Sequence, residues 1–283
     1  MTTLRERLLR RAVLGCLRVT DAVRRRNDRI AAAAEAAALA GLGDASLNAL
    51  TAALYDRRGA PCGEPLFDWD EQWFAAELPP PPARLLIGGA GAGREVLPLL
   101  SLGYEILAFD PAPKVVAIAE QSFAGVTNVE FVTGSYEDMA VRRPGALGDA
   151  LARRGRFDAV VFGWGSFTHI VGEIVRTDSL IRARELCPVG PALLSVWIRG
   201  DNVETRRDGR SERLGAALGG ISGRGRSREI GVGDSVVGHA GYCHAFTWFE
   251  LDLLAAKAGY AVHGSSRDQG DAVYPHITLR PRA

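Results

Sequence analysis

The chain of 283 residues is long enough for one large domain, or for one domain with an appendage. With 47% hydrophobic and 24% charged residues it has the composition of an ordinary globular protein, which excludes the disordered classes. A formal net charge of +1 provides no global field for a polyanion, so nothing at this level argues for nucleic acid as a partner. The four cysteines, Cys16, Cys62, Cys187 and Cys243, stand far apart with no C-x-x-C pair. That spacing fits neither a disulfide framework nor a zinc site and predicts a reducing cytoplasm. No apolar run approaches the roughly 20 residues of a membrane span, and "VLGCLRV" is too short and too arginine-flanked for a signal segment. Lys114 and Lys257 are the only lysines and alanine is abundant, a bias that points to a GC-rich bacterial coding sequence.

From the N-terminus, Leu4, Leu8, Ala12, Cys16, Val19 and Val23 recur at helical spacing with arginines between them, and "AAAAEAAALAG" continues the helix to Gly41. Such a helix packs on its own domain or on a second subunit, giving a homo-oligomer; an anionic membrane surface is the sharper alternative. A second helix is predicted near 45–57, and "FDWDEQWFAAEL" supplies aromatic residues for a small cap. "PPPP" at 79–82 breaks any helix, so a boundary is expected there: 1–82 as helical extension or cap, 83–283 as the main domain. Beyond it, strand and helix signals alternate: "ARLLIGG", "GREVLPLLSLG", "EILAFD", "PKVVAIAEQSF", "VEFVTG", "FDAVVFGWG", "SLIRARELC", "ALLSVWI", "TWFELDLLAAKAG", "YAVHGSS" and "HITLRP". Apolar strands separated by amphipathic helices predict a doubly wound α/β domain with a mainly parallel sheet covered on both faces. A glycine- and arginine-rich insertion at about 199–246 is far longer than an ordinary connection and is expected to shape a pocket.

"LLIGGAGAGRE" places Gly89, Gly91 and Gly93 at a strand-to-helix turn. Missing side chains there let a ligand touch the backbone, and a helix N-terminus favours an anionic group, which suits an extended nucleoside cofactor. The dinucleotide pattern G-x-G-x-x-G is not met, because Arg94 stands where its third glycine belongs. Asp110 ends the next strand, where an acidic residue of such units hydrogen-bonds ribose hydroxyls; its blander role is a helix cap before Pro111.

With "LLIGGAGAGRE", "ILAFDPAP", "VEFVTGSYEDM", "FDAVVFGWGSFTHI", "LCPVGPALLSVW" and "FTWFELDLLAAKAGY" in this order, the chain from about residue 83 onward resembles the class I S-adenosylmethionine-dependent methyltransferases. The resemblance implies a seven-stranded Rossmann-like sheet and S-adenosyl-L-methionine as cofactor. It places Gly89, Ala90, Gly91 and Gly93 at the methionine half, Asp110 with Pro111 at the ribose, Ser135 and Tyr136 at the adenine, and Gly163 and Trp164 beside the methyl-transfer site. The sequence departs from the family twice. Ile87 stands where an acidic residue usually grips the cofactor's ammonium group, leaving the backbone near Gly163 or the cap to do so. Ser135 and Tyr136 stand where an aspartate often meets the adenine, with Glu137 or Asp138 as substitutes.

A sulfonium cofactor carries its own leaving group, so the protein has mainly to align the reactants and exclude water. A general base is needed when the acceptor arrives protonated. His169 in "GSFTHI" is the first candidate, with His244 and Tyr242 in "GHAGYCHAF" facing the acceptor from above. His239, Cys243 and His244 lack a fourth ligand, so no metal is expected. Tyr55 and Trp69 are candidates for a lid, and Arg206, Arg207, Arg210 and Arg213 for a solvated loop or a grip on an acidic acceptor. The reading is methyl transfer to O, N or S of a small molecule, as in specialised metabolism. Its rivals are a dinucleotide-dependent oxidoreductase and a non-catalytic cofactor-binding subunit or adaptor.

Overall fold

The computed structural model describes residues 4–58, 65–200, 231–238, 240–269 and 274–282, which fall into two compact units. The described part of the first is one helix, α1 (Leu4–Gly41), as the alanine-rich periodicity predicts. The second unit comprises Asp44–Glu204 and Gly231–Ala283. His239, Cys62 and the arginines at 206, 207, 210 and 213 lie outside the described residues.

The second unit opens with α2 (Asp44–Arg58) and α3 (Asp68–Glu77), both ahead of the prolines. Neither stands apart from the sheet. Trp73 and Phe74 of α3 share one core with Leu85 and Ile87, and Trp73 Nε1 donates to Thr278 Oγ1 at 2.9 Å. The unit therefore begins at Asp44, and the prolines stiffen a strap inside it. Helices this short draw their stability from packing against a larger apolar surface, which is why they join the sheet domain.

Five parallel strands carry the sheet: β1 (Arg84–Gly88), β2 (Glu105–Asp110), β3 (Val129–Thr133), β4 (Ala159–Phe162) and β5 (Ala192–Ser195). A hairpin, β6 (Asp234–Val237) with β7 (Gly241–His244), stands outside the sheet. At the C-terminus β8 (Tyr260–Ser265) and β9 (His276–Pro281) add to it in the order β3-β2-β1-β4-β5-β9-β8, with β9 antiparallel to both neighbours.

Strand alternation divides the core in two. Leu85, Ile87, Ile106, Ala108, Ala159, Val161 and Leu193 face one side, with α3, α4 (Val96–Ser101) and α5 (Pro113–Ser122). Leu86, Leu107, Phe109, Val160, Phe162 and Leu194 face the other, with α6 (Tyr136–Ala140), α7 (Ala146–Arg154), α8 (Glu173–Leu186) and α9 (Trp248–Lys257). Each buried Leu, Ile or Phe is worth about 1.5–3 kcal/mol over its exposed state, and two such layers cover the central parallel strands β1, β4 and β5 on both faces. Helix starts are fixed locally. Thr247 Oγ1 accepts the Glu250 N–H at 3.1 Å while Glu250 Oε2 accepts the Thr247 N–H at 2.6 Å, a capping box at the head of α9. Strand order reverses between β1 and β4, so the connections after β1 and after β4 leave in opposite directions and part at the carboxyl edge.

Candidate active site

A cleft opens at that edge. It is lined by Gly89 and Gly91 after β1, Asp110 and Pro111 at the end of β2, Ser135 and Tyr136 after β3, and Trp164, Ser166 and His169 after β4. Asn48, Thr51, Ala52 and Tyr55 of α2 close it from the other side.

The glycines of the turn serve two different purposes. A Cβ on Gly89 would come within 2.2 Å of Ser166 Cβ, and one on Gly93 within 2.7 Å of the Phe123 ring. Gly163 is held by its N–H on the Gly88 carbonyl (2.8 Å), and a Cβ there would lie 2.7 Å from the Gly89 carbonyl oxygen. At these three positions the missing side chain admits the protein itself, and at Gly89 and Gly163 it brings the ends of β1 and β4 together. Gly91 is different: it has φ +56, and nothing lies within 4 Å of where its Cβ would be. Its bare backbone faces the cleft. Ala90 is buried, with its N–H on the Phe109 carbonyl (3.1 Å).

Asp110 ties the turn to the next helix. Its Oδ2 accepts the Gly91 N–H (3.0 Å) and its Oδ1 the Ala112 N–H (2.9 Å), so the cap-like role and the place beside the glycine turn belong to one carboxylate. Each oxygen keeps a lone pair for a further donor. Burial pushes Asp110 up to about 6, against the pull of the Ala112 and Gly91 N–H groups and with Asp56 adding to the rise.

Ser135 and Tyr136 line the cleft with their polar atoms engaged. Ser135 caps α6, accepting the Asp138 N–H (3.1 Å) and donating to Asp138 Oδ2 (2.7 Å). The Tyr136 hydroxyl lies 2.6 Å from Ser166 Oγ, and its ring stacks on Phe162 at 5.1 Å. Ile87 is fully buried in the core and touches no cleft. The acids near the turn are ones the sequence reading passed over. Glu95 accepts the Trp164 N–H (3.0 Å) and pairs with Arg94, whose guanidinium also pairs with Asp70 and lies 4.8 Å from the Phe67 and Trp164 ring centres. Burial pushes the Glu95 carboxyl up. The "RE" pair read as an ordinary helix start. Only its folding against α3 makes it a buried network.

Trp164 is half-exposed at the rim and meets Tyr274 edge-on at 5.7 Å; Trp69 stacks on Tyr274 at 5.8 Å, forming an aromatic wall. His169 ends a short 3-10 turn, Ser166–His169, pinned where Thr168 Oγ1 accepts the Trp197 N–H (3.0 Å). Its Nε2 lies 3.0 Å from the Tyr55 hydroxyl and its Nδ1 2.7 Å from the Tyr242 carbonyl oxygen. Burial lowers the pKa of His169, and burial with the Cys243 and Asp110 charges raises Tyr55 to about 12.

Tyr242 and His244 do not face the cleft. Alternation along β7 turns both toward Asp234, whose Oδ1 accepts the Tyr242 hydroxyl (2.6 Å) and lies 2.8 Å from His244 Nδ1. The same alternation turns Cys243 to within 3.6 Å of His169 Nδ1. Among the described residues no group of three His, Cys, Asp or Glu side chains could hold a metal ion, and no helix is long and apolar enough to cross a membrane.

No protein-family model matches the chain, and no curated protein matches it in sequence. Solved structures match its fold. A Rhodobacter sphaeroides protein provisionally named among the Zn-dependent alcohol dehydrogenases superposes with a TM-score of 0.56 at 12% identity, over 84% of this chain and 98% of that one. The CcbJ methyltransferase of Streptomyces caelestis gives 0.54 at 18% identity, over 86% and 100%. A SAM-dependent methyltransferase of Methanosarcina mazei gives 0.51 at 14% identity, over 77% and 99%. The chain has the Rossmann-like fold of the class I S-adenosylmethionine-dependent methyltransferases.

Proposed function

We propose that the protein is an enzyme that transfers the methyl group of S-adenosyl-L-methionine to O, N or S of a small-molecule acceptor. One observation carries the reading: at the reversal between β1 and β4, the open backbone of Gly91 and the Asp110 carboxylate are hydrogen-bonded to each other and both line the cleft. Gly91 leaves room for the thioether arm, and the free lone pairs of Asp110 accept the ribose hydroxyls. When bound, the cofactor supplies an electrophilic methyl carbon and a neutral leaving group. The chain's residues then hold the partners in line, exclude water through the aromatic wall and take up any proton.

An oxidoreductase is the less economical reading. The dinucleotide fold has six parallel strands in the order 3-2-1-4-5-6, whereas here antiparallel β9 sits between β5 and β8, and Arg94 replaces the third glycine. Calorimetry with S-adenosylhomocysteine, run beside a nicotinamide cofactor, tests the choice. Binding of the first and not the second supports methyl transfer, and the reverse overturns it. A non-catalytic cofactor-binding subunit would bind S-adenosylhomocysteine yet methylate nothing in a metabolite extract.

A further inference from the structure

His169 has neither ring nitrogen directed to open space. The Tyr242 carbonyl can only accept, so the proton of the neutral ring sits on Nδ1 (2.7 Å), with Cys243 Sγ beside it at 3.6 Å. Nε2 is then the acceptor, and the group within its reach is the Tyr55 hydroxyl at 3.0 Å. Tyr55 therefore occupies the accepting nitrogen of His169, and both residues line the cleft.

We infer that Tyr55, contributed by α2, is a catalytic proton relay to His169, and that the acceptor of the proposed transfer arrives protonated and carries no negative charge. The inference rests on the methyl-transfer reading. As the acceptor atom forms its bond to the methyl carbon, the bonding pair of the broken carbon–sulfur bond stays on sulfur. The acceptor's proton passes to Tyr55 Oη while Tyr55's own proton passes to His169 Nε2. Tyr55 begins and ends neutral, and His169 ends as an imidazolium whose Nδ1–H remains on the Tyr242 carbonyl until the proton leaves to solvent.

Each partner needs the other. The tyrosine's ionisation, raised to about 12, keeps it protonated near neutrality, so it cannot act as a base alone. The histidine, held neutral by burial, is ready to accept. The groups around the pair are Trp197 and Tyr274 beside the turn, and Cys243 with the Tyr242 carbonyl on β7; Asp110 and Arg58 act on Tyr55 from farther away. The need to remove a proton selects an acceptor that arrives protonated, as a hydroxyl, a thiol or an ammonium group does. The lack of negative charge follows from the lining: among the described lining residues the charged groups are Asp110 and Glu137, both acids, which repel a carboxylate or phosphate.

The first test uses the whole protein without cofactor. NMR of isotope-labelled histidine, with His169 assigned by its loss in His169→Gln, should show the Nδ1–H tautomer; an Nε2–H tautomer overturns the relay. Tyr55→Phe should make His169 titrate at a higher pH, because the hydroxyl's bond to neutral Nε2 is lost; an unchanged titration overturns it. With methyl-labelled S-adenosylmethionine and a metabolite extract, Tyr55→Phe should slow labelling by about 100-fold or more while S-adenosylhomocysteine affinity stays within about twofold. Unchanged labelling overturns the relay, and label appearing chiefly on carboxylates or phosphates overturns the acceptor class. If Tyr55→Phe does not fold, the tautomer of the unaltered protein still decides. If S-adenosylhomocysteine fails to bind while the tautomer is as stated, the methyl-transfer reading has failed and the hydrogen-bonded pair has not.

Discussion

On one side of the cleft, Gly91 and Asp110 come from the ends of neighbouring strands and hydrogen-bond to each other. On the other, Tyr55, His169 and Tyr242 come from α2, the turn after β4 and a hairpin within the long insertion, with sequence separations of 114 and 73 in their two hydrogen bonds. The glycine side is fixed by strand pairing that the core already demands, so its geometry is over-determined. The histidine side forms only when three distant segments close on one another, each against its own loop entropy. Changes on the first side should therefore damage fold and binding together, while changes on the second should separate them.

The largest expected effect lies within the glycine turn. Gly89→Ala combines a left-handed backbone (φ +62) with a Cβ 2.2 Å from Ser166 Cβ, and should destabilise the protein by about 2–5 kcal/mol in urea denaturation. Gly91→Ala has the same backbone strain but open space, so a loss of about 1–2 kcal/mol is expected. Its methyl group should nonetheless weaken S-adenosylhomocysteine binding; equal stability losses at the two positions would remove the distinction drawn between them. Asp110→Ala comes next. One lost charge-assisted hydrogen bond is worth about 1.5–3 kcal/mol, so calorimetry should show binding at least tenfold weaker.

Asp234→Ala probes the far side of β7. It leaves the Tyr242 hydroxyl and His244 Nδ1 without their buried partner, for about 1–3 kcal/mol of stability, yet cofactor affinity should hold. A collapse of affinity with stability intact would return Tyr242 and His244 to the site. The smallest effect is that of pH. The ionised Asp110 accepts the ribose hydroxyls, so affinity should be flat above about pH 6 and fall below it, by up to about tenfold one pH unit lower. Stability runs the other way. With a folded value raised from 3.8 to about 6, Asp110's contribution is full below 3.8 and lost as pH rises through about 6. Binding measured from pH 5 to pH 8 at constant salt separates the two trends.

Much of the glycine side was legible in advance because its signals are local. A strand, a glycine turn, a helix and an acid at the next strand end follow in a fixed order, and the sheet repeats that unit. Glu95 and Arg94 escaped because a buried ion network looks, in sequence, like any helix start; only packing against Asp70 and Trp164 gives it its character. Tyr55 was suspected as a lid, whereas its hydroxyl meets His169, and Cys243 was set aside although β7 turns it to that ring.

The sequence by itself determined the layered α/β domain, the turn with its open backbone and the carboxylate beside it, because hydrophobic period and glycine placement act over a few residues. Only the tertiary structure decided that α2 and α3 belong to the sheet domain, that β9 runs antiparallel, and that Tyr242 and His244 serve Asp234 while Tyr55 serves His169. Those outcomes depend on which apolar faces find one another and on the two-residue alternation of a short strand. A one-residue change of register there would have exchanged Cys243 for its neighbours at the histidine.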